Sequence, residues 1–281
     1  MKLAHLILAH SNPGQLKRLV DKLAHVDSHI YIHLDKKTDI TPFRHIADNK
    51  KAFFINDRTK VYWGTYSIVQ ATINSFAEML NTGIAYDHIN LLSGQDYPIK
   101  PIAQIHDFLA ANTGKIFMHS LSVENEWQEA LPRIKNYHLN HFKLPVGTYR
   151  IEQILNTVLP ERKMPSGIEA VGRSQWFTSS REGIAYIVDY VKKEPWISRF
   201  FKLSWAADEM IFQTILFNSP LKNNMVNDNL LYVDWSEKKP SPKMLTMDDA
   251  AALKASDKFF ARKFNSEQDS KVLDYIDNFT S

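Results

Sequence analysis

The chain has 281 residues, 44% of them hydrophobic, enough to build one large α/β core or two small ones. Its 34 Lys and Arg against 31 Asp and Glu leave a net charge of only +3. That field is too weak to favour nucleic acid as a partner, although a local cationic cluster can still hold an anion. Cysteine is absent, which excludes disulfides and thiolate metal sites, and no apolar run approaches the roughly 20 residues that a bilayer demands.

Residues 1–10 read as a first strand rather than a secretion signal. Their apolar stretch is short, interrupted by His5 and followed by Ser11, Asn12, Pro13 and Gly14. Pro13 suits a first helical turn, and Leu16, Leu19, Val20 and Leu23 make a helical stripe. Residues 30–35 alternate into a second strand, residues 52–55 give a short third, and residues 66–80 form a long helical pattern that ends near Gly83.

The next stretch organises the rest. The apolar run 88–92 stops at Ser93 and Gly94, hands over Gln95, Asp96 and Tyr97, and meets Pro98 before a helix at 102–111. A buried strand that ends this way presents polar side chains to the crevice outside the carboxyl ends of a sheet, where α/β proteins bind ligands; an ordinary strand–loop–helix junction fits the same pattern. With a strand at 115–119, the order βαββαβαβ predicts a mostly parallel sheet with helices on both faces.

Residues 124–172 are basic, aromatic and weakly periodic, the mark of a functional insertion. A strand at 175–179, helices at 181–191 and 208–217, a strand at 230–235 and helical pieces at 248–255 and 270–278 complete the chain. No repeat or linker divides it, so a single domain over 1–281 is expected, with a nucleotide-binding half (1–120) and an acceptor-binding, catalytic half (121–281).

Several signatures are missing. The P-loop, the dinucleotide G-x-G-x-x-G and the G-x-S-x-G elbow do not occur. His138 and His141 stand three apart with no carboxylate at zinc-site spacing, so solvated loop histidines are the simpler reading. Nor is there an Asp-x-Asp triplet to hold a divalent ion on a diphosphate. Any bound diphosphate must be neutralised by side chains. Lys243 after Pro242, and Arg262 and Lys263 within the aromatic run 259–264, are the candidates; a helix end with snorkelling cations is the alternative. Asp208 and Glu209 open an otherwise apolar segment, where acidic residues either satisfy a helix dipole or face a crevice as a general base.

In their shared order these segments resemble the core-2/I-branching β-1,6-N-acetylglucosaminyltransferase family, which includes the peptide O-xylosyltransferases, and its bacterial members above all. The resemblance runs through Ile30 to Lys37, Trp63-Gly64, Leu92 to Lys100, Asp208-Glu209 with Phe212-Gln213-Thr214, Tyr232 to Trp235 and Phe260 to Phe264. It implies a GT-A-like variant of the nucleotide-sugar transferase fold and an inverting transfer that needs no metal or other cofactor. Glu209 matches the family's catalytic base, Lys243 and Lys263 its diphosphate cations, Asp35 an acid at the uridine end, and Trp235 an acceptor-side tryptophan. Gln95, Asp96 and Arg262 join the nucleotide-sugar candidates, and Trp176 and Arg133 the acceptor candidates. For Trp176 the competing role is core packing; for the basic segment of Arg133, Lys135, Tyr137 and Arg150 it is a solvated loop. Glu237 stands where animal branching enzymes carry a tyrosine, so their acceptor does not transfer.

The implied reaction moves N-acetylglucosamine from a UDP-sugar donor to a hydroxyl of a glycan or lipid-linked glycan. Xylose or another hexose is the alternative donor sugar, and a binding module without turnover the alternative class; donor hydrolysis in EDTA separates them. A cytoplasmic protein, peripheral at the inner membrane through its basic insertion, is the expected setting.

Overall fold

Strand β1 (Leu3–Ala9) sets the architecture. Leu3, Ile7 and Ala9 are buried on one side, and Ala4 and Leu6 on the other. A strand apolar on both faces needs cover on both faces. The computed structural model describes residues 1–142 and 147–280, so part of the basic insertion (143–146) lies outside the described residues. The other strands are β2 (Ser28–Leu34), β3 (Ala52–Phe54), β4 (His88–Ser93), β5 (Asp96–Pro98), β6 (Ile116–Phe117), β7 (Ser120–Ser122), β8 (Val171–Arg173), β9 (Phe177–Ser180), β10 (Met225–Val226), β11 (Leu231–Val233) and β12 (Phe260–Arg262). The helices are α1 (Pro13–Lys22), α2 (Tyr66–Asn81), α3 (Ile102–Ala111), α4 (Leu131–Lys135), α5 (Thr148–Val158), α6 (Arg181–Lys193), α7 (Pro195–Phe201), α8 (Ile211–Phe217), α9 (Ala250–Ala255) and α10 (Lys271–Phe279).

Seven strands form the central sheet in the order β10-β6-β9-β4-β1-β2-β3. It is mostly parallel, as the alternation of strands and helices predicts, with β9 running against both of its neighbours. Apolar side chains of α1, α3, α9 and α10 pack on one face, and those of α2, α6, α7 and α8 on the other. Strands from before and after residue 120 share this sheet, since β9 and β10 flank β6. A smaller sheet, β11-β12-β5, places β12 parallel to β11 and antiparallel to β5.

Three segments depart from the sequence reading. The helix expected at 208–217 is broken: Ala207–Glu209 is a separate 3-10 turn, and Met210 (φ −133°, ψ −40°) interrupts the path into α8. The run 259–264 contains a strand, not a helix end, because β11 and β5 give its backbone groups partners on both sides. The strand expected at 230–235 shortens to β11, with Leu230 in the left-handed region (φ 59°) and Trp235 beyond the pairing.

The insertion 124–172 is ordered by one buried arginine. Arg162 donates to the carbonyls of Asn136 (3.0 Å), Leu203 (2.7 Å) and Phe200 and to Ser204 Oγ (3.2 Å), and its guanidinium lies 4.1 Å over the Phe200 ring. One cation thus bridges the carbonyls of two segments, adding charge-assisted bonds to those that Leu203 O and Phe200 O already accept from backbone N–H groups. Arg162→Ala is expected to cost about 3 kcal/mol or more, read as a lowered midpoint in urea unfolding; an unchanged midpoint would show that the segment is held by other contacts.

Candidate active site

The sheet opens at the carboxyl ends of β1, β2 and β4 onto a cavity of 1030 Å³, where Ala9, Asp35 and Gln95 follow or close those strands. That is the crevice in which open α/β sheets bind their ligands. Gln15, on α1, fixes its rim. Its side-chain amide donates to Gly94 O (3.0 Å) and Phe264 O (3.1 Å), and its Oε1 accepts from Ser266 N (2.7 Å). Phe264 N in turn donates to Gln95 O (2.9 Å), so the 93–95 loop and the 264–266 segment are tied to each other.

Asp35 is buried at the edge of this opening. Its Oδ1 accepts from Lys37 N (2.9 Å) and Val61 N (3.3 Å), and Lys37 Nζ lies 3.3 Å from Oδ2. His33 lines the same region; burial lowers its pKa, and its Nε2 accepts from Thr59 N (2.9 Å).

Asp96 does not line the cavity, contrary to its placement among the donor-binding candidates. It is 0% exposed, with its oxygens taken by Ser93 N (2.8 Å) and Ser93 Oγ (2.7 Å). Burial raises its pKa, and the nearby Arg262 opposes that rise by favouring the charged form. In the β5–β12 ladder Arg262 is the direct partner of Asp96, and its Nε sits 3.6 Å from Asp96 Oδ1 without making a hydrogen bond. The guanidinium rests 4.6 Å above the Trp176 ring. Trp176 therefore packs on the core and also lines the cavity, with its ring under a cation.

Lys263 follows Arg262 into the cavity. Burial and the adjacent guanidinium lower its pKa, and among the described residues it has no ion-pair partner. Two cations thus stand at one wall against the single buried carboxyl of Asp96. Lys243 is elsewhere. Its Nζ is 2.6 Å from Asp249 Oδ1 and 3.9 Å from Asp234 Oδ2, and it does not line the cavity, although the preceding segment from Lys238 to Pro242 does.

Across the opening, the turn Ala207–Glu209 presents Asp208 and Glu209. Arg133 Nη1, from α4, pairs with Glu209 Oε2 at 2.5 Å. Trp127 lies beneath two guanidiniums, Arg133 at 4.9 Å and Arg173 at 5.5 Å, and Arg173 pairs with Glu129 at 2.9 Å. Trp235 and Trp63 complete the wall, 52% and 75% exposed, with Trp63 edge-on to Trp205 at 5.1 Å. The sequence reading gave no role to Trp63, Trp127, Glu129 or Arg173. Only Trp63-Gly64 left a trace, as a shared dipeptide. His138 and His141 stay apart from this site: His138 Nε2 is 3.0 Å from Pro132 O, and the His141 ring packs edge-on to Tyr66. Among the described residues no three His, Asp or Glu side chains gather as metal ligands.

The sequence profile described as Core-2/I-Branching enzyme matches residues 3–260. The chain belongs to that family. Curated relatives include rat xylosyltransferase 2, 26% identical over 308 residues that cover 99% of this chain and 33% of that protein. Rat xylosyltransferase 1 is 26% identical over 306 residues, covering 99% and 35%. Xylosyltransferase oxt of Drosophila pseudoobscura pseudoobscura is 26% identical over 283 residues, covering 92% and 31%. The chain spans about a third of the length of these relatives.

In this branching-family chain the seat of Glu209 depends on two glycines. Gly64 (φ 69°) turns beneath the Trp205 ring, where a Cβ would come within 2.8 Å, and its carbonyl accepts from Ala206 N (3.3 Å). Gly172, in β8, lies against the turn itself; a methyl there would overlap the Glu209 carbonyl oxygen and stand 2.9 Å from Met210 Cα. Backbone cannot yield as a flexible side chain can, so the turn must shift. Gly172→Ala is expected to cost roughly 1–3 kcal/mol and to displace the Glu209 carboxylate from Arg133. Thermal unfolding and a crystal structure of the variant check this; an unmoved turn with an unchanged midpoint would show the contact to be slack.

Proposed function

We propose that the chain is an inverting glycosyltransferase that moves a sugar from UDP to a hydroxyl of a glycan or lipid-linked glycan, without a metal ion. The observation that carries this reading is the cavity itself. An under-compensated cation pair, Arg262 and Lys263, and a carboxylate, Glu209, line one opening at the carboxyl ends of the sheet. An anionic leaving group and a proton acceptor are what such a transfer requires.

Glu209 takes the proton of the acceptor hydroxyl as its oxygen attacks the anomeric carbon. The bond from that carbon to the diphosphate oxygen breaks, and UDP departs with the electron pair and about one more negative charge. Charge-assisted hydrogen bonds contribute roughly 1.5–3 kcal/mol each. Two of them, from Arg262 and Lys263, approach the several kcal/mol that a divalent ion would supply. Lys243 joins as a third only by leaving Asp249. Asp35 receives the uridine end, Gln95 borders the donor, and Trp235, Trp63 and Arg133 shape the acceptor side. Family membership supports the transferase class, and the xylosyltransferase names of the relatives favour xylose beside N-acetylglucosamine as the donor sugar.

A peripheral membrane contact, on the cytoplasmic face, rests on α5. Its Ile151, Ile154 and Val158 are exposed along one stripe, with Arg150 alongside to meet anionic headgroups. No helix among the described residues is long and apolar enough to cross a membrane. Ile154→Asp should abolish co-sedimentation with phosphatidylglycerol vesicles; equal pelleting of variant and wild type would dismiss the contact.

Glu209→Gln should abolish UDP release from UDP-N-acetylglucosamine and UDP-xylose in EDTA while leaving calorimetric UDP affinity within a few fold. Lys263→Ala should weaken UDP binding roughly 10- to 150-fold, the equivalent of one charge-assisted hydrogen bond. Turnover by the Gln variant, or full UDP affinity in the Ala variant, would overturn these roles.

A further inference from the structure

Asp208 is unlike the other carboxylates of the cavity. It is 9% exposed, it lines the opening, and its Oδ1 is buried without a hydrogen-bond partner. The charged groups that face it are Glu209, on its own turn, and Arg133, from α4. Arg133 is already committed to Glu209 at 2.5 Å, so Asp208 is left with a like charge beside it and, among the described residues, no counter-ion of its own.

A buried carboxylate in that position costs several kcal/mol unless it takes up a proton. An orphaned buried oxygen at a ligand cavity also asks for a partner that the ligand supplies. We infer, on the transferase reading above, that Asp208 is held as a neutral carboxylic acid in the acceptor subsite, where it hydrogen-bonds an acceptor hydroxyl beside the ionised base Glu209.

The arrangement assigns opposite states to adjacent carboxyls. Glu209 is paired with Arg133, and it is the carboxyl that takes the acceptor's proton. Asp208 adds no second anion to a site that must admit a diphosphate, and it cannot compete as a base. Burial, and then the charge of Glu209, push the Asp208 pKa up to about 7. The sign follows: an acid whose pKa is raised is neutral below that pH and ionised above it, so the competent state is lost as pH rises.

Infrared difference spectroscopy of the unliganded protein reads the proton directly, without donor or turnover. Between about pH 5.5 and 8.5, above the range in which exposed carboxylates titrate, wild type should show a protonated-carboxyl C=O band that disappears through about pH 7. That band should be absent in Asp208→Asn, whereas any signal of Asp96, the other buried carboxyl whose pKa burial raises, should be the same in both proteins, and in Glu209→Gln the midpoint of the Asp208 band should move to lower pH because the neighbouring charge is gone. In parallel, the rate of UDP release from UDP-N-acetylglucosamine or UDP-xylose should fall about tenfold or more between pH 6 and 8.5 in wild type. In Asp208→Asn, whose amide cannot ionise, that fall should vanish.

A wild-type spectrum with no band beyond those of Asp208→Asn, an unmoved midpoint in Glu209→Gln, or an unchanged alkaline fall in Asp208→Asn would each overturn the assignment. A band together with no UDP release from either donor supports the neutral carboxyl and counts against the transferase reading instead.

Discussion

The pairing of β12 with β5 is the constraint on which the site depends. It sets Arg262 directly across from Asp96, inside the protein, and lays the guanidinium over Trp176. A guanidinium tolerates this because it is weakly hydrated and stacks well on an aromatic face. Asp96 tolerates it because Ser93 gives its oxygens two hydrogen bonds. Lys263 follows Arg262 and lines the same cavity, with no carboxylate of its own among the described residues. The wall is therefore electropositive by construction, not through the net charge of the chain, which is only +3.

The opposite wall is arranged by close backbone approach. Gly64 and Gly172 let Trp205 and β8 press on the turn that carries Asp208 and Glu209. That turn is a single 3-10 unit cut off from α8 at Met210, so its carboxylates do not sit at the start of a long helix and the macrodipole is not what orients them. Arg133 does that work for Glu209, with Trp127 and Arg173 stacked behind it. The two walls come from distant parts of the chain, and the central sheet, shared by strands from both halves, holds them in one frame.

Much of the frame was legible in the sequence. β1, β2 and β4 carry runs or alternations of apolar residues bounded by turn residues, so local pattern alone reveals them. β12 was not legible, because three residues owe their extended conformation to partners as far away as β5. The same limit hid Trp127, Arg173 and Glu129, which lie in or beside a weakly periodic insertion and are brought together, with Arg133, only by the fold. The resemblance singles out Glu209, yet the helix expected around it is broken, and the break at Met210 has no Gly or Pro to mark it in the sequence. Lys243 shows the converse. Its place in the sequence suits a diphosphate ligand, while in the fold Asp249 holds it aside.

The central claim is that side-chain cations, chiefly Arg262 and Lys263, receive the diphosphate. The most direct measurement is calorimetric titration of the protein with UDP and with uridine, both in EDTA. The increment between the two ligands isolates the diphosphate. This account predicts that UDP binds at least tenfold tighter than uridine with no divalent ion present, a difference of about 1.4 kcal/mol or more. Equal affinities in EDTA, with the advantage of UDP appearing only when manganese or magnesium is restored, would contradict it.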